Sequence, residues 1–169
     1  MKWYLAILLL ITSFSIHAQE CDYRVNSVSG MDGTRLVITE PVELTGNFGK
    51  GALEAWTTVN GDTAIILAFV IYSPEDIPLV KGDKVSLIIG EESSIDFEIY
   101  QDPVQSTSTP KKLTCLVFLS PEEISALESK LITGIRFSGE TYQHEGKIKK
   151  KNYGSIATLI RCVREYLTD

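Results

Sequence analysis

Residues 84–100 read KVSLIIGEESSIDFEIY, and this stretch decides the fold class. In its second arm Ile95, Phe97 and Ile99 alternate with Asp96, Glu98 and Tyr100. Successive side chains of a strand point to opposite faces, so this arm is a half-buried strand, apolar inward and acidic outward. Lys84 to Ile89 forms the first arm and Gly90-Glu91-Glu92 the turn, which makes an antiparallel hairpin.

The same grammar extends upstream. Tyr23 to Ser29 and Thr34 to Glu40 flank the turn residues Gly30-Met31-Asp32-Gly33, and Pro41 ends the second run. A loop with two glycines, Asn47 to Gly51, precedes an alternating run from Ala52 to Val59. Asn60-Gly61-Asp62 then predicts a tight turn into Thr63 to Tyr72. That partner strand is apolar on both faces, which predicts a central strand covered on both sides.

Downstream, Gln101 to Lys112 is a polar Pro/Ser/Thr connection expected to be mobile, and Leu113 to Leu119 is a further strand. Ser120-Pro121-Glu122-Glu123 is a capping box with proline at the first helical position, opening a helix over 121–130. Ile135 and Phe137 resume strand alternation. Ile156, Leu159, Ile160, Val163 and Leu167 form one apolar face of a second helix from about Tyr153 to Leu167. The expected fold is α+β and mostly antiparallel. Seven to nine strands form a β-sandwich or partly open barrel, with one short crossover helix and a C-terminal helix packed on the sheet.

The first 18 residues, MKWYLAILLLITSFSIHA, have a basic start, an apolar run from Leu5 to Ile11 and a small residue at Ala18. This is the pattern of a bacterial secretory signal peptide, with an uncleaved anchor as the alternative. Residues 19–169 are then a single exported globular domain, periplasmic or extracellular. No second stretch is long enough to span a membrane as a helix. The layout resembles that of small exported proteins of Gram-negative cells, but no motif carries the resemblance and no site residues follow from it.

The whole chain carries a formal charge of −6, and loss of Lys2 with the leader makes it −7. Residues 19–140 hold 9 basic and 19 acidic side chains; residues 141–169 hold 6 and 3. An acidic body argues against nucleic acid as a partner, because phosphate neutralisation needs a cationic face. Three cysteines allow one bridge in an oxidising compartment. Cys115 sits in an apolar strand, whereas Cys21 and Cys162 lie near chain ends, which often meet at the surface. The pairing expected is Cys21–Cys162.

Catalytic motifs are sparse. After leader removal the one histidine is His144, with Tyr142 and Glu145 nearby. There is no nucleophile elbow, phosphate-binding glycine loop, zincin helix or paired C-x-x-C, so no catalytic residue, metal or cofactor is implied.

Four features remain as ligand or partner candidates. Glu91, Glu92, Asp96 and Glu98 cluster on one hairpin. They could bind a cation or act on a glycosidic bond, although a solvated acidic face is the plainer reading. Lys147, Lys149, Lys150 and Lys151 could meet anionic lipid, glycan or the acidic body of a second copy. A solvated turn, or lysines guarding a short edge strand around Ile148, explains them as well. Trp56 lies on the face opposite Leu53, Ala55, Thr57 and Val59, either as core or as a platform for carbohydrate or a partner.

The function expected is a non-enzymatic exported binding or interaction domain, its partner an unknown protein, a glycan or a small apolar ligand. One alternative is a small apolar-ligand carrier with a pocket lined by Phe97, Phe118 and Phe137. Another is a carboxylate-dependent hydrolase acting on glycans, with two carboxyls about 5–10 Å apart in a cleft.

Overall fold

The computed structural model describes residues 21–31, 33–43, 51–59, 64–91 and 93–165. The leader, the Asn60-Gly61-Asp62 turn, most of the 47–51 loop, Glu92 and Leu167 lie outside the described residues.

In chain order the strands are β1 (Tyr23–Val28), β2 (Arg35–Thr39), β3 (Val42–Glu43), β4 (Gly51–Val59), β5 (Ala64–Ser73) and β6 (Lys84–Ile89). They continue with β7 (Ser93–Glu98), β8 (Val104–Gln105), β9 (Lys111–Leu119), β10 (Ile132–Ser138) and β11 (Gln143–Lys147). Helix α1 (Pro121–Leu127) lies between β9 and β10, and helix α2 (Ser155–Arg164) follows a 3₁₀ turn at Lys150–Asn152. Nine of the described strands have five or more residues; β3 and β8 are two-residue pairings that alternation could not reveal.

The larger sheet runs β1-β2-β4-β5-β9-β8, with β3 beside β4, and the smaller runs β11-β10-β6-β7. The pairings are antiparallel. The two sheets form an open sandwich rather than a closed barrel.

Register explains what fills it. Leu67 stands between Ala55 of β4 and Val117 of β9, while Phe69 stands beside Cys115. This inner face meets Val85, Leu87, Phe97, Ile135 and Phe137 of the smaller sheet in one buried cluster. Phe69 and Phe137 meet edge to face across the two sheets, with ring centroids 6.1 Å apart.

Helix α2 fills the rest of the inner face, over β2 and β4. Val37, Thr39, Ala55 and Thr57 beneath it are fully buried, and their modest size gives the helix room. Its own buried face is Ile156, Ala157, Leu159, Ile160, Cys162 and Val163. The 141-residue span from Cys21 to Cys162 is closed by a disulfide, Cα–Cα 5.6 Å, which clamps this helix to the segment leading into β1.

Helix α1 opens as its capping box requires: Ser120 Oγ accepts from the Glu123 amide at 3.2 Å, and Glu123 Oε2 accepts from the Ser120 amide at 2.7 Å. It ends at Leu127, short of Lys130, in a turn closed by the Lys130 amide on the Leu127 carbonyl.

Three expectations need correction. Both the smaller sheet and α2 occupy the same face of the larger sheet, so no described layer covers the outer side of β5. Its outer residues Ala68 and Val70 are nevertheless buried, 0% and 5% exposed. The 101–112 connection is bonded into an edge hairpin rather than loose. Ser106 and Lys112 exchange hydrogen bonds, and Asp76 takes Lys111 at 3.2 Å and the Gln105 amide. The strand expected around Ile148 lies earlier, at β11, and Ile148 itself is buried.

Candidate binding groove

The outer face of the larger sheet follows from the same alternation. Trp56 stands between Ile38 of β2 and Ile66 of β5, and Ile66 stands beside Phe118 of β9. An apolar row therefore crosses the sheet on the side away from the core. Tyr100 extends it, its ring edge-on to Phe118 at 4.2 Å.

Glu54 shares this face with Trp56, two residues on. Its side chain is only 7% exposed, yet it carries a charge that needs compensation. Glu54 Oε2 accepts from Arg24 Nη2 at 2.6 Å and from Trp56 Nε1 at 2.9 Å. The guanidinium supplies the countercharge and the indole a second donor, so the carboxylate fixes the orientation of the tryptophan. Glu54 Oε1 makes no hydrogen bond among the described residues.

These three side chains line a groove of about 300 Å³. Val70, Val104 and Leu116 form apolar walls, and Gln101, Lys112 and Thr114 add polar atoms. An oriented ring, aliphatic walls and a few converging polar groups are the makings of a small-ligand site.

Two other grooves receive the charged candidates. Asp96 and Glu98 line a space of about 410 Å³ with Lys81, Tyr100, Phe118 and Glu123. Glu91 and Lys147 border a space of about 620 Å³ that also holds the Arg136–Glu145 ion pair, 2.7 Å. The acidic hairpin is thus split between two grooves rather than focused on one. Lys149 precedes the 3₁₀ turn that contains Lys150 and Lys151, and all three are exposed.

The pocket expected from Phe97, Phe118 and Phe137 is not assembled. Phe97 and Phe137 are in the core, whereas Phe118 is 37% exposed on the outer face. His144 stacks on Tyr142 at 6.2 Å. Among the described residues no group of three or more His, Cys, Asp or Glu side chains is placed to hold a metal ion. No described helix is long and apolar enough to cross a membrane.

Cys115 is the free thiol, fully buried on β9. Burial, with a smaller contribution from the Asp83 charge, pushes it from an ordinary 9.0 up to about 12, so it is an inert core residue. Tyr142 is also raised, chiefly by burial.

Of the groove residues, alternation singles out Trp56 alone. Glu54 was legible as a charge on the face of Trp56. Arg24, Gln101 and Lys112 arrive through strand order and had no local signal. The chain matches no protein-family model, no curated protein and no solved structure.

Proposed function

We propose that this protein is an exported, non-enzymatic binding domain that holds a glycan in the Trp56 groove. The observation that carries the reading is Trp56 itself: a half-buried indole, locked by a buried carboxylate, in an open groove with polar atoms at its border. A pyranose presents a face of C–H bonds that packs on an aromatic ring and a rim of hydroxyls that seek planar donors and acceptors. Glu54 Oε1 and the remaining Arg24 donors supply such partners. The signal-like leader and the disulfide support an exported location, periplasmic or extracellular.

The test is affinity electrophoresis of the processed protein through gels holding neutral and anionic polysaccharides. Retardation by at least one polysaccharide, lost in Trp56→Ala and retained in Trp56→Tyr, is the expected result. Unchanged migration in every gel, with the fold intact by circular dichroism, overturns the reading.

A further inference from the structure

We infer that the glycan held at Trp56 is anionic, carrying carboxylate or sulfate groups that Lys112 and Arg24 recognise; this rests on the glycan reading above. The three grooves differ in the sign of their lining. The groove at Tyr100 has Asp96, Glu98 and Glu123 against Lys81. The groove at Tyr153 balances Glu91 and Glu145 with Arg136 and Lys147. The Trp56 groove alone of the three has more cations than anions, Arg24 and Lys112 against Glu54. This excess stands out on a body in which acidic side chains outnumber basic ones by two to one.

The one acid is already compensated. Glu54 is paired through Oε2 to Arg24 Nη2. The Arg24 side chain is 45% exposed, so its Nε and Nη1 donors, in no hydrogen bond among the described residues, remain open to a ligand. Lys112 is exposed and forms no ion pair among the described residues, while the nearby Asp76 is taken by Lys111 and Gln105. A guanidinium edge and a free ammonium beside an indole fit a sugar acid. The ring packs on Trp56, a hydroxyl donates to Glu54 Oε1, and the anion lies toward the two cations.

The emission of Trp56, the only tryptophan after leader removal, reports occupancy directly. Two matched probe pairs separate charge from shape: polygalacturonate against its methyl ester, and carboxymethyl cellulose against hydroxyethyl cellulose. At least one charged member is expected to bind about tenfold more tightly than its neutral counterpart at 50 mM salt. That preference shrinks at 300 mM salt, where screening is stronger, and in Lys112→Gln. Equal affinity for the charged and neutral members in both pairs, insensitive to salt, overturns the anionic inference and leaves the glycan reading standing. No emission change with any probe, together with unretarded migration in the gels, overturns both.

Discussion

The Tyr23 hydroxyl donates a 3.0 Å hydrogen bond to the main-chain carbonyl of Cys162. That carbonyl belongs to the last turn of α2. With the Cys21–Cys162 bridge two residues before Tyr23, the first strand and the last helix are tied by one covalent and one polar bond.

Replacing both Cys21 and Cys162 by alanine is therefore expected to cost about 2–5 kcal/mol, because the lost cross-link closes nearly the whole chain. Urea unfolding of the variant and of reduced wild type checks it, and the two should agree. A midpoint unchanged by reduction would show that the bridge does not constrain the unfolded chain. Tyr23→Phe should cost less, about 0.5–1.5 kcal/mol.

Thr57 is fully buried beneath α2, and its Oγ1 has no hydrogen-bond partner among the described residues. Thr57→Val replaces this hydroxyl by a methyl group of similar volume in a strand. A gain of about 1 kcal/mol is expected. Chemical denaturation reads it; a loss would show that the hydroxyl is satisfied.

The ion pair under Trp56 yields a double-mutant cycle. Arg24→Met leaves the Glu54 carboxylate buried without its countercharge and should cost about 1–3 kcal/mol. Adding Glu54→Met removes the stranded charge and should recover part of that loss, as exchanging a whole buried pair for apolar groups often does. Costs that simply add would show that the two side chains do not interact.

Cys115 is expected to make stability fall at alkaline pH. Its folded value of about 12 lies above the 9.0 of an exposed thiol. Below pH 9 both states keep the proton and nothing changes. From pH 9 to 12 the unfolded chain loses a proton that the folded chain keeps, so stability falls by about 1.4 kcal/mol per pH unit at most. Tyr142, also raised, adds to the fall above its ordinary 10.0. Cys115→Ala should flatten the curve. At pH 8 the native thiol should resist iodoacetamide and react only on unfolding.

Local chemistry carried most of the architecture. The Ile95/Phe97/Ile99 alternation gave away β7, the Ser120–Glu123 box gave away α1, and the apolar spacing from Ile156 to Val163 gave away α2, because each is written within one or two turns of chain. Three things escaped. The pairings of Val42–Glu43 and Val104–Gln105 depend on neighbours distant in sequence and have no period of their own. That no described layer lies over the outer side of β5 escaped because an apolar strand does not say which elements cover it. The Arg24–Glu54 contact spans 30 residues and exists only because β1, β2 and β4 lie side by side. Trp56 could be placed on a face by counting; its carboxylate partner and the cations around it needed the sheet order.

The bridge between the two ends also changes what a cut chain is. From residue 21 to residue 162 the molecule is a covalent ring, through the peptide bonds one way and the sulfurs the other. A protease that opens one exposed turn, at Gly30 or near Pro110, produces no free fragment. The nicked protein keeps a single mass apart from one added water, and comes apart only when the sulfurs are reduced. Damage at its surface loops is thus held within one molecule for as long as its surroundings stay oxidising.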